Sequence, residues 1–164
     1  MHITVTNQQE LLQLDASRLE SAARAILQDA NRLSGGISIV VVDDATIRPL
    51  NAEFLGHDYE TDVLSFAIED RGDHLEGEVI VSAETAITNA ADYGWPAEHE
   101  LLLYVIHGVL HLVGYRDKAD ADVADMRHAE AKYLDRFGVS LPATTQQAAE
   151  RNLGADPVEG ASAS

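Results

Sequence analysis

Residues 37–43 read ISIVVVD, with branched aliphatic side chains on four consecutive positions from Ile39 to Val42. Successive side chains of a strand point to opposite faces. A run like this has no side to give to water, and it predicts a strand buried in a sheet that is covered by other layers. That requirement places the chain in the α/β (α+β) class, as a small mixed sheet packed by helices.

The remaining segments supply the layers. HITVTN (2–7) alternates as a short strand, and SRLESAARAILQDANRL (17–33) carries apolar residues at helical spacing up to Gly35 and Gly36. Asp44 reads as the cap of a short helix reaching Phe54. TDVLSFAI (61–68) and GEVIVS (77–82) predict two further strands joined by the polar turn EDRGDHLE. Ser82 fits the N-cap of a helix closed by Gly94, Trp95 reads as a packed anchor, and Pro96 suits the first turn of a helix running to Gly114. An amphipathic helix is expected over about 119–137. Periodicity is then lost, so residues 1–138 are expected to form the folded domain and 139–164 a disordered tail.

Acidic residues number 28 against 11 basic, a net charge of −17. That balance argues against tight non-specific binding of nucleic acid, which uses a basic face. The absence of cysteine removes thiol catalysis and thiolate metal clusters. The start, MHITVTNQQ, lacks the pattern of a signal peptide, and the apolar run from Leu101 to Val113 is too short to span a bilayer. A cytoplasmic protein with no membrane partner is therefore expected.

The chemistry concentrates in HGVLHLVGYRD (107–117). Residues four apart share one helix face, so His107 and His111 can offer imidazoles to one ion. Gly114 can end the helix in a left-handed turn and bring Asp117 back to the same ion. Three protein ligands with a fourth position open is the pattern of a catalytic zinc site. The bland alternative is a core helix that happens to hold two histidines. Peptidases of this spacing carry a glutamate directly after the first histidine as general base. Here the position is Gly108, which counts against a peptidase.

Three blocks in register resemble the YbeY-type endoribonucleases of ribosomal RNA maturation. HGVLHLVGYRD resembles the hallmark H-G-x-L-H-L-x-G-Y-D-H, and LNAEFLGHDYETDVLSF (50–66) resembles L-N-x-x-[YF]-R-x-x-D-x-x-T-D-V-L-S-F. GEVIVS stands for G-D-I-x-I-S. The resemblance implies a zincin-like metal helix and one zinc, or another divalent transition metal, held by His107, His111 and the residue at the third ligand position. It implies cleavage of single-stranded RNA in ribosomal RNA processing and ribosome quality control. The ribosomal small subunit and a ribosome-assembly GTPase are the implied partners.

The departures bear on activity. Asp117 stands where the family has its third histidine; a carboxylate can ligate zinc but leaves it a weaker Lewis acid. Arg116 stands at the family's aspartate and is the candidate catalytic aid, able to meet a phosphate. Two alternatives stay open: Asp117 matching the family's aspartate with no third ligand, or His128 completing the set. Leu55 replaces an arginine expected near the metal cleft, with Arg48, Arg71 and Arg116 as candidate substitutes. Asp62 and Ser65 fall on opposite faces of their strand, and Glu78 is read as structural. An endoribonuclease is the first reading. The alternatives are an assembly factor with a structural metal and little catalysis, or a metallohydrolase with a non-RNA substrate.

Overall fold

The computed structural model of the chain describes residues 1–142 and residue 153. The elements run β1 (His2–Asn7), α1 (Ala16–Asp29), β2 (Ser34–Val42), α2 (Asp44–Leu55), β3 (Val63–Arg71), β4 (His74–Ser82), α3 (Ala83–Tyr93), α4 (Ala97–Leu112) and α5 (Asp120–Arg136). The strands form one mixed sheet in the order β1-β2-β4-β3. β1, β2 and β4 are parallel, and β3 pairs antiparallel with β4.

Alternation along the strands divides the apolar residues between two faces. Ile37, Ile39 and Val41 of β2, Val79 and Val81 of β4 and Val63 of β3 join the main core with α1, α3, α4 and α5. Val42, Ile80, Leu64 and Phe66 point the other way, where α2 covers them with Ile47, Leu50 and Leu55. α4 lies at the centre of the main layer, and every residue from Glu100 to Leu112 is buried. Each of its buried leucines, isoleucines and valines contributes on the order of 1.5–3 kcal/mol of transfer free energy. Most of the expected tail lies outside the described residues, but Val139 and Leu153 are described and both pack into the main core.

Several boundaries differ from those expected on the sequence pattern. α1 stops at Asp29, and Asn31 takes the left-handed conformation at φ 57°, so Gly35 and Gly36 belong to β2. Asp43, not Asp44, caps α2, accepting from the Thr46 backbone N–H. The Asp44 carboxylate instead accepts from the hydroxyls of Ser82 and Thr85, both at 2.6 Å, tying α2 to the start of α3. Pro96 lies one residue before α4. The polar segment 69–76 is mostly strand, with only Gly72 and Asp73 in the turn. Its polar side chains mark a solvated hairpin end: Glu69, His74 and Glu76 gather there half-exposed, and Arg71 pairs with Glu69.

Candidate metal centre

His107 and His111 lie in the last turns of α4, within its buried run. That helix sits close on the sheet because residue 108 has no side chain. A Cβ on Gly108 would stand 2.6 Å from Val79 Cγ1 and 3.1 Å from Ser65 Oγ. Ser65 Oγ uses the closeness to donate to the Gly108 carbonyl at 3.1 Å. Position 108 thus faces β3 and β4, and a peptidase-type glutamate there would enter the sheet instead of the site.

After α4, Gly114 takes φ +110° and the chain reverses. The turn brings Asp117 back over the helix. Its Oδ2 lies 3.3 Å from His111 Nε2 and 3.5 Å from His107 Nε2. The two imidazoles meet edge to face with centroids 4.5 Å apart. The three residues singled out by sequence spacing therefore come together, and their ligand atoms all lie within 4.8 Å of one another.

The hydrogen-bond partners of the two rings bear on what the pocket can hold. His111 Nδ1 lies 3.0 Å from the Tyr115 carbonyl oxygen, which can only accept, so Nδ1 carries the hydrogen. His107 Nδ1 lies 2.6 Å from Glu130 Oε2, and that carboxylate accepts in the same way. The Nε2 atoms of both rings then face the Asp117 carboxylate oxygen. His107 Nε2 is buried with no hydrogen-bond partner. Two imidazole nitrogens and a carboxylate oxygen converging in a largely buried pocket form a donor set that could hold a cation. For bonds of about 2.0–2.2 Å, tetrahedral ligands stand roughly 3.3–3.6 Å apart, which matches the separations from Asp117. The residues fit a divalent metal of the zinc class.

The charges around the pocket are ordered as well. Burial alone would push the Asp117 carboxyl up. The hydrogen bond with His111 and the neighbouring His111, His107 and Arg127 outweigh that and hold it below the ordinary carboxylate range. Arg127 Nη1 donates to both oxygens of Glu130 at 2.8 Å. Sequence pattern alone did not single out Glu130, although a signal existed. It shares the buried face of α5 with Met126, Ala129, Tyr133 and Leu134, where a glutamate needs a partner.

Other sequence candidates fall elsewhere. His128 is exposed and outside the ligand group. It lines an open cleft of about 500 Å³ with Arg116, Lys132, Asp122 and Asp125, next to the turn that ends in Asp117. Leu55 is partly buried and packs against the α2-covered cluster. Arg48 pairs with Asp58 and Arg71 with Glu69. Ser65 faces α4, whereas Asp62 precedes β3 and caps it by accepting from the Val63 backbone N–H at 2.8 Å. Trp95 packs on the core and donates to Glu100 at 2.7 Å. Glu78 is half-buried, and burial pushes its carboxyl up.

Comparison with known proteins matches residues 4–138 to the family model described as Endoribonuclease YbeY. A Rhodopirellula baltica protein of that name is 42% identical over 140 residues, covering 82% of this chain and 71% of the relative. A Desulfitobacterium hafniense protein of the same name is 38% identical over 130 residues, covering 73% of this chain and 83% of its own. The solution structure of a Thermotoga maritima protein aligns with a TM-score of 0.55 at 25% identity, covering 92% of this chain and 96% of that one.

Proposed function

The chain belongs to the endoribonuclease YbeY family, and from that premise we propose that it is a metal-dependent nuclease acting on single-stranded ribosomal RNA. The observation that carries the reading is the convergence of His107 Nε2, His111 Nε2 and Asp117 Oδ2 within 4.8 Å of one another, with His107 Nε2 buried and lacking a hydrogen-bond partner. A divalent ion held by His107, His111 and Asp117 would supply a Lewis acid and the means to activate water.

The chain's own groups do the rest. The Tyr115 carbonyl orients His111, and the buried walls of α4 keep bulk water off the ligands. Asp117 adds a negative charge where a third imidazole would be neutral, which would make a bound ion a weaker Lewis acid. Arg116, one residue before Asp117, lines the adjoining cleft beside Lys132. There it can pair with a phosphate of a bound strand and offset charge that grows at the scissile group. Zinc as the native ion, a place in ribosomal RNA processing and quality control in the cytoplasm, and the small subunit and an assembly GTPase as partners belong to the same proposal. Among the described residues no helix is long and apolar enough to cross a membrane.

One observation favours a second reading. Leu55 contributes packing to α2 and no charge to the centre, and the chain carries a net −17. A ribosome-assembly factor that keeps the ion as a structural clip fits both. The readings separate on purified protein assayed with single-stranded RNA after chelation and after restoring one equivalent of zinc, with His111→Ala beside it. The nuclease reading expects cleavage to vanish and return in wild type and to stay absent in the variant. Intact RNA with metal-replete wild type would transfer the assignment to the assembly factor. Equal cleavage by every sample would identify a contaminant and remove the support for catalysis.

A further inference from the structure

We infer that Glu130, on α5 and outside the stretch that holds His107, His111 and Asp117, is the positioning residue that sets metal affinity at this centre. The inference rests on the ligand reading above and adds a residue to it.

Four observations lead to Glu130. Its Oε2 lies 2.6 Å from His107 Nδ1, a separation typical of a charge-assisted hydrogen bond. Both side chains are almost completely buried, at 1% and 3% exposure. The carboxylate is held on its far side by Arg127, which donates to both oxygens. It also lies on the buried face of α5, which it shares with Met126 and Tyr133.

The physical consequence concerns the imidazole. A neutral histidine has one ring hydrogen, and whichever nitrogen carries it is lost as a ligand. A carboxylate 2.6 Å from Nδ1 fixes the hydrogen there and leaves the Nε2 lone pair aimed at Asp117. It also fixes the ring plane and makes the imidazole a stronger donor to a metal. Ligating histidines elsewhere depend on such partners, and losing one typically weakens metal binding about 10–100-fold.

The two histidines are treated differently. His111 gives its Nδ1 hydrogen to a neutral backbone carbonyl, whereas His107 gives its own to a carboxylate neutralised by Arg127. Only at His107 is the partner a side chain that can be exchanged. The role is therefore testable without disturbing the ligands.

The experiment is a zinc titration of wild type, Glu130→Gln and His111→Ala by competition with a chelating dye. It is joined by cobalt(II) absorption spectra and by imidazole nitrogen NMR of the metal-free proteins. Glutamine keeps the size and an acceptor oxygen but not the charge. Glu130→Gln is expected to bind one equivalent about 10-fold more weakly or worse, with an altered cobalt spectrum and a changed His107 Nδ1–H signal, at unchanged far-ultraviolet dichroism. If Glu130→Gln fails to fold, Arg127→Ala leaves the carboxylate in place without its clamp and should weaken binding several-fold. Wild-type affinity in the folded variant would overturn the positioning role and leave the ligand set standing. No zinc on wild type would overturn the ligand set and this inference with it.

Discussion

Replacing Gly108 by alanine sets two effects of similar size against each other. In a helix interior alanine is favoured over glycine by about 1 kcal/mol. At this position the added Cβ would lie 2.6 Å from Val79 Cγ1 and 3.1 Å from Val63 Cγ2. Carbon atoms pack comfortably at about 3.5–4.0 Å, so the first contact is roughly 1 Å too short. Val79 is wholly buried in β4 and its branched side chain has little rotamer freedom, so α4 has to lift. Overpacking of this kind costs about 1–3 kcal/mol. The clash should win, leaving a net loss of up to ~2 kcal/mol, or about 3 °C in Tm per kcal/mol for a domain of this size. Urea unfolding of chelated protein gives the number directly. In a Val79→Ala background the added methyl finds room, so the same change should become neutral or stabilising. An alanine variant at least as stable as wild type, with Val79 intact, would refute the close seating of α4.

Two other perturbations test the surroundings of the site. Tyr104 is fully buried, accepts from Asn89 at 2.8 Å, and has its hydroxyl pushed far up by burial and then by the charges of Glu100 and Asp62. Tyr104→Phe should cost about 1–3 kcal/mol in an unfolding titration, because polar groups remain buried after their partner leaves; a neutral result would show that water replaces the hydroxyl. Glu78 carries a carboxyl raised by burial, so the folded state holds its proton more tightly than the unfolded chain. Stability therefore falls as pH rises from the ordinary carboxylate range through the raised value. Glu78→Gln should be more stable than wild type at pH 7, with the gap closing below the ordinary range; a gap independent of pH would exclude this cause.

The parts of the site that lie within one short stretch are legible in the amino-acid sequence. Helical spacing places His107 and His111 together, and Gly114 signals the reversal that returns Asp117. The strands and the mixed sheet follow from apolar runs and their alternation. What escapes a sequence depends on packing between elements. Glu130 is 23 residues from His107 and meets it only because α5 docks on α4. The acceptor for the His111 ring hydrogen is the backbone of Tyr115, which leaves no trace in residue identity. The hairpin is longer than its apolar residues suggest because β3 and β4 run past the core as polar strand. Leu55 stands out as a departure from the family, but its place under the sheet depends on which face α2 covers.

The contrast between a buried helix and the turn beyond it bears on how such a centre can diverge between lineages. Any exchange at 107 or 111 is also a substitution in the middle of the core, where volume and polarity are both fixed by neighbours. Residue 117 lies past the helix and stands beside His111 from outside that packing. A lineage can therefore change the charge of the centre at this one codon without rebuilding the domain. The candidate ligand outside the core helix is the one whose exchange selection can try most freely.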